Sequence, residues 1–106
     1  MFRPEPYILG AVFKLSFYSE LINNGQTIQI TNSIEVGFLV ITDQNAMVGI
    51  YCVNYGSLTM LSGSRASATK DNANTMNVYK TSNGRTIDVQ NNTGINSKFE
   101  ILAFGH

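Results

Sequence analysis

The chain has 106 residues, enough for one domain around a single core and too few for two. Seven basic residues balance seven acidic ones and only 13% of the chain is charged, which excludes the basic footprint of a nucleic-acid binder and leaves nothing to draw the chain to an anionic membrane. The polar remainder is Asn, Ser, Thr and Gly more than Lys and Glu, a composition that disfavours exposed helices and favours strands joined by tight turns.

Residues 1–10 hold both prolines, in the start Met-Phe-Arg-Pro-Glu-Pro, and read as an arm or linker, leaving residues 11–106 as the domain. That start lacks a basic region followed by an apolar run, so no signal peptide is expected. No run of about eighteen apolar residues occurs, so no membrane span is expected either. Residues 11–18 alternate, with Phe13, Leu15 and Phe17 on one face and Lys14, Ser16 and Tyr18 on the other, the pattern of a strand. Asn23-Asn24-Gly25 is a turn signal, and Ile28 and Ile30 alternate with Gln and Thr in the strand that follows. Residues 34–42 form the most apolar run and predict a central strand, with residues 46–53 as its partner after the turn at Asp43-Gln44-Asn45. Residues 57–62 place Leu58 and Met60 on one face and Leu61 out of phase, as in an edge strand or one ending in a bulge. Residues 63–75 have no periodicity and read as a long surface loop, the first place to look for recognition.

Residues 76–92 predict a β-hairpin. Asn83-Gly84 can take the positive φ angles of a type I′ turn, which sets Val78 opposite Val89 and Lys80 opposite Ile87. That register puts Met76, Val78, Ile87 and Val89 on a dry face and Asn77, Tyr79, Thr81, Thr86, Asp88 and Gln90 on a wet one. After a turn at residues 91–94, the last strand, residues 98–104, carries Phe99, Ile101 and Ala103 on one face and Leu102 and Phe104 on the other, an outward apolar pair of the kind a subunit contact uses. The sum is about eight short strands at roughly ten-residue spacing, an all-β antiparallel sandwich, jelly roll or small barrel built from successive hairpins.

The chemistry-bearing residues are sparse. Cys52 is the single cysteine, cannot form an internal disulfide and reads as a small buried hydrophobe. His106 is the single histidine, at a chain end where fraying is expected, so no Cys–His dyad or His-rich zinc site follows. The carboxylates Glu5, Glu20, Glu35, Asp43, Asp71, Asp88 and Glu100 are scattered and read as solvated positions, with no catalytic residue among them. Asp43-Gln44-Asn45 and Asp71-Asn72-Ala73-Asn74 collect oxygens but lack the EF-hand spacing, and read as turn chemistry rather than a metal site. No cofactor motif is present; Gly63-Ser64-Arg65 lacks the Gly-Lys-Ser/Thr ending of a P-loop. Asn91-Asn92-Thr93 fits the N-glycosylation pattern, which an Asn-rich chain meets by chance. A sugar site wants Tyr beside planar polar groups, and Tyr55 beside Asn54, the loop bearing Arg65, Lys70, Asp71 and Asn72, and Tyr79 near Asp88 offer that combination.

The closing phrase Phe99-Glu100-Ile101-Leu102-Ala103-Phe104-Gly105 resembles the last strand of C-terminal domains of bacteriophage tail-fibre, head-fibre and receptor-binding proteins. The Asn-Gly hairpin followed by VQNNTG, and the phrase GIYCVNYGSLTMLSGS, resemble the paired strands and loops of such modules, so the likeness spans the later part of the chain. It implies a jelly-roll-like β-sandwich that forms a homotrimer on a virion appendage and recognises a host surface carbohydrate or receptor without enzymatic activity. A purely structural virion assembly protein is the alternative, and a polysaccharide hydrolase the third reading. On this view Asn54, Tyr55, Arg65, Lys70, Asp71 and Asn72 bind ligand. Tyr79, Thr81, Thr86 and Asp88 would join Leu102 and Phe104 at a subunit interface, provided that the hairpin and the last strand share a sheet.

Overall fold

A computed structural model describes residues 14–31, 33–81 and 84–106. The expected arm, the start of the first strand at residues 11–13 and Asn83 of the hairpin turn lie outside the described residues. Nine strands are described: β1 (Lys14–Ile22), β2 (Thr27–Ile30), β3 (Val36–Asp43), β4 (Val48–Asn54), β5 (Ser57–Ser64), β6 (Ala66–Ser67), β7 (Thr75–Tyr79), β8 (Ile87–Asn92) and β9 (Ser97–Gly105). They form a five-stranded sheet, ordered β1-β9-β3-β4-β5, and a four-stranded sheet, ordered β2-β8-β7-β6. The fold is a β-sandwich, all-β and antiparallel but for one two-residue pairing, β6 with β7.

The alternation of each strand explains the core between the sheets. Met76, Val78, Ile87 and Val89 from one sheet meet Leu39, Ile41, Tyr51, Val53, Phe99, Ile101 and Ala103 from the other, and all are buried. The Tyr51 hydroxyl crosses the gap and donates to Ser67 O at 3.1 Å, tying β4 to β6. Burial pushes the Tyr51 phenol far above its ordinary value of 10.0. The hairpin register is the one the Asn-Gly turn sets, with Val78 opposite Val89. The apolar run of residues 34–42 supplies the central strand of its sheet, β3. β5 is both an edge strand and bulged: Ile50 pairs with Ser62 and Tyr51 with Met60, so Leu61 is the extra residue.

Five expectations are corrected. β1 and β2 are not a hairpin, because the turn at Asn23-Asn24-Gly25 carries the chain from one sheet to the other. The turn at residues 93–96 makes the return crossing, so β8 and β9 also lie in different sheets. First strand thus pairs with last, and second with next to last. Residues 63–64 belong to β5 and residues 66–67 to β6, which shortens the loop to residues 68–74. The chain end does not fray: His106 N–H donates to Val36 O at 2.9 Å, and its carbonyl accepts from Glu35 and Val36. Cys52 is half-buried on the outer side of β4 instead of in the core, because its inward neighbours Tyr51 and Val53 fill that side.

The two corner turns are held by one buried side chain, Asn91. Its amide nitrogen donates to Ile22 O at 2.7 Å and Ile95 O at 2.8 Å, while its Oδ1 accepts from Thr93 N–H and from the Thr93 hydroxyl. Its backbone pairs with Gln26 O, and Gly25 N–H donates to Asn91 O. Every hydrogen-bonding site of this asparagine is filled, which is what burial of an amide requires. Asp43 plays a similar part at the β3–β4 turn, accepting from Asn45 and Met47 N–H through Oδ1 and from the Ser97 hydroxyl through Oδ2. This is Asx-turn chemistry, as its neighbours Gln44 and Asn45 led us to expect.

At the centre of the larger sheet, β3 and β9 approach where Gly37 faces Gly105. Both have positive φ, 145° and 157°, and a Cβ on either would sit 2.1 Å from a backbone oxygen of the other strand. Only glycine fits at this crossing.

Candidate functional site

The outer face of the four-stranded sheet is polar, and strand register arranges it in rows. Gln29, Asp88 and Tyr79 form one row across β2, β8 and β7, and Thr27, Gln90 and Asn77 the next. The hairpin's expected wet face is therefore real in composition, yet Asn77, Tyr79, Asp88 and Gln90 are buried. For Asn77 and Gln90 the physical reason is the loop of residues 68–74, which lies across them. Gln90 Oε1 accepts from Asp71 N–H at 2.8 Å and from Asn77 Nδ2 at 2.9 Å, and Gln90 Nε2 donates to Asp71 Oδ1 at 2.7 Å. Asn72 O accepts from Asn77 Nδ2 and Asn92 Nδ2. Asp71 and Asn74 take positive φ, which short polar side chains tolerate, so the loop reverses and stays flat on the sheet.

Beside this loop the sheet stays open as a shallow groove of about 450 Å³ lined by Thr27, Gln29, Lys70, Tyr79, Thr81 and Asp88. Asp88 is buried at its floor, accepting from Gln29 Nε2 at 2.9 Å and from the Thr81 hydroxyl at 3.0 Å. Thr27, Gln29, Lys70 and Thr81 are exposed around it. Lys80 is near enough to feel the charge. Its own burial lowers its pKa from the ordinary 10.5, and Glu35 and Asp88 act in the opposite direction. The groove thus presents an ammonium, an amide, two threonine hydroxyls and a phenol-bearing ring around a fixed carboxylate, a set made for hydrogen bonding to hydroxyl groups. Among the described residues no three His, Cys, Asp or Glu side chains converge as metal ligands.

Of the residues expected to bind ligand, Lys70, Asp71 and Asn72 share the loop, but only Lys70 lines the groove. Arg65 stands at the base of the loop, where its guanidinium reaches Thr93 O at 3.4 Å. Asn54 ends β4 and Tyr55 begins the β4–β5 turn, the length of β5 away from Arg65, about 25 Å at strand rise. The structure does not bring them together with the loop. Of the residues expected at one subunit interface, Tyr79, Thr81 and Asp88 line the groove and Thr86 is half-buried on β8's approach, whereas Leu102 and Phe104 lie on the outside of the other sheet. The shared-sheet premise is corrected by the crossing at residues 93–96. Thr27 and Gln29 are the groove residues that the sequence reading missed. Their signal was present, since alternation with Ile28 and Ile30 turns both outward, but nothing local shows that β2 pairs with β8.

Asn91 of the glycosylation pattern is fully buried and internally bonded. Among the described residues no helix is long and apolar enough to cross a membrane. No protein-family model, curated protein or solved structure matches this chain.

Proposed function

We propose that the chain is a non-enzymatic binding module that takes a carbohydrate, or a similarly hydroxyl-rich part of a host surface receptor, in the groove on its four-stranded sheet. The observation that carries this reading is the row Gln29–Asp88–Tyr79, flanked by Thr27, Thr81 and Lys70 on one rigid surface. Sugars are recognised by planar polar groups that bond adjacent hydroxyls and by rings that lie against C–H faces. Both Asp88 oxygens are engaged by neighbours, which fits a fixed acceptor better than a group that shuttles protons. The place of action, a virion appendage, rests on the resemblance of the closing strand and hairpin to phage fibre domains.

The test is a glycan array probed with the whole chain, followed by titration of any hit against variants. Lys70→Ala and Thr81→Ala replace exposed residues and leave the core untouched. Each is expected to weaken binding about tenfold, the worth of one charge-assisted or well-placed hydrogen bond. Tyr55→Ala, at the far turn, is expected to leave it unchanged. An array without a hit, or a hit lost with Tyr55→Ala and kept in both groove variants, refutes the assignment.

A further inference from the structure

The outer face of the five-stranded sheet is apolar where an open strand face is ordinarily polar. Register sets Leu15, Phe104, Phe38 and Cys52 in one row across β1, β9, β3 and β4, and Phe17, Leu102, Val40 and Ile50 in the next. Diagonal neighbours in adjacent rows lie about 7 Å apart, within reach of aromatic side chains, so the two rows merge into one patch. Leu15 is 66% exposed, Phe17 65%, Leu21 65%, Phe38 49% and Phe104 48%. At the ~200 Å² that a large apolar side chain presents when open, the four of these that lie in the two rows, Leu15, Phe17, Phe38 and Phe104, leave about 450 Å² in water, the size of the largest patch on an ordinary monomer, and Leu21 stands further along β1 opposite Lys98. The half-buried Val40, Ile50 and Leu102 add to it, and with Ser19, Leu21, Lys98 and Glu100 at its margin the whole face approaches the ~800 Å² that each partner contributes to a standard interface.

We propose that this face is where a second copy of the chain docks, sheet against sheet. Its area matches what a stable association needs, and its charges suit a copy of itself. Beyond the apolar rows the face carries Lys98, exposed, and Glu100, half-buried, on β9, 3.9 Å apart. One cation beside one anion offers no net sign to select a charged partner. In a two-fold arrangement with the β9 strands antiparallel, however, Lys98 of each copy meets Glu100 of the other. The pinned chain end keeps the patch in register, because the β3–β9 crossing that carries Phe38 and Phe104 is clamped by the Gly37–Gly105 contact and by His106. The groove lies on the opposite side of the sandwich, so glycan binding and self-association hold or fail separately.

Sedimentation equilibrium of the whole chain, from micromolar to millimolar, with Phe17→Asp and Phe38→Asp as variants, tests the proposal. Wild type is expected at twice the 11.7 kDa monomer mass, and each substitution is expected to weaken association at least 100-fold. Phe17 sits on edge strand β1 outside the core, so Phe17→Asp carries the test if the central-strand variant fails to fold. Cys52, in the first apolar row, provides a second readout: its reaction with a thiol reagent is expected to be at least tenfold slower in assembled wild type than in Phe17→Asp. A monomer at millimolar concentration overturns the proposal, as does an assembly that survives both substitutions with Cys52 equally reactive. A monomer whose Cys52 becomes reactive only when residues 1–13 are removed assigns the face to the chain's own start and overturns it too.

Discussion

Replacing Asn91 by aspartate changes a single amide nitrogen to oxygen and tests whether one side chain holds both sheet-to-sheet corners. In the native protein that nitrogen donates to Ile22 O and Ile95 O, one on each side of the crossing, and the residue is fully buried. In Asn91→Asp the Oδ1 bonds from Thr93 can persist, but two carbonyls lose their donor and face an oxygen instead. At about 1–3 kcal/mol per buried polar group left unpaired, the loss is about 2–6 kcal/mol, a large share of the ~5–15 kcal/mol that stabilises a domain of this size. The pH dependence makes the argument specific. Burial and the two carbonyls disfavour the charged carboxylate, so the folded-state pKa of the new aspartate lies above its unfolded value of about 3.9. A group raised on folding contributes stability that is present below the unfolded pKa and is lost as pH rises through the folded one. The deficit relative to wild type should therefore be smallest near pH 4, where the protonated acid returns one donor, and should grow toward pH 7. Urea unfolding followed by circular dichroism at several pH values measures it. A deficit below about 1 kcal/mol, or one that does not change with pH, refutes the reasoning.

Two further substitutions probe the frame. Gly37→Ala puts a methyl group 2.1 Å from Phe104 O, a backbone atom that can retreat only if β3 and β9 part; a loss of about 3 kcal/mol or more is expected in thermal melts. Gly94→Ala is the control, since Gly94 also has positive φ but nothing within 4 Å, and should cost about 1 kcal/mol. Tyr51 governs alkaline stability: its phenol stays protonated in the folded protein while the unfolded chain ionises from pH 10, so stability should fall by about 1.4 kcal/mol per pH unit above 10. In Tyr51→Phe that slope should shrink at the cost of the bond to Ser67 O; an unchanged slope between pH 10 and 12 would show that Tyr51 is not its source.

Alternation told which residues share a face and left open what covers that face. Where the apolar face was also the covered one, as in Met76, Val78, Ile87 and Val89 or in Phe99, Ile101 and Ala103, the reading and the core coincide. Two faces depart in opposite directions. The polar side of the hairpin is buried because Asp71, Asn72, Asn77 and Gln90 satisfy one another's hydrogen bonds, which lets polar groups be covered at little cost. The face of Leu15 and Phe17 is open because β1 pairs β9 along its length and turns Ser16 and Tyr18 inward. Both outcomes depend on long-range pairing, and the Asn-Gly signal at residues 24–25 misled because a tight turn reverses direction equally well between two sheets as within one. The same gap separated Thr27 and Gln29 from Asp88 and Tyr79 in the sequence, although they share one surface in the fold.

The wall of the groove is ordered before any ligand arrives, and this can be tested without altering a lining residue. Lys70 owes its place to its neighbour Asp71, which Gln90 holds by two hydrogen bonds. Gln90→Leu keeps the bulk and removes the bonds, so the loop of residues 68–74 should detach while β7 and β8 stay paired. Fixing a freed backbone costs about 1–2 kcal/mol per residue, so even one residue ordered anew on binding should weaken a groove ligand about tenfold. Hydrogen exchange should quicken for residues 68–74 and remain slow for Val78 and Val89. Faster exchange with undiminished affinity would show that the loop is no part of the binding surface. Unchanged exchange would show that side chains other than Gln90 hold the loop down.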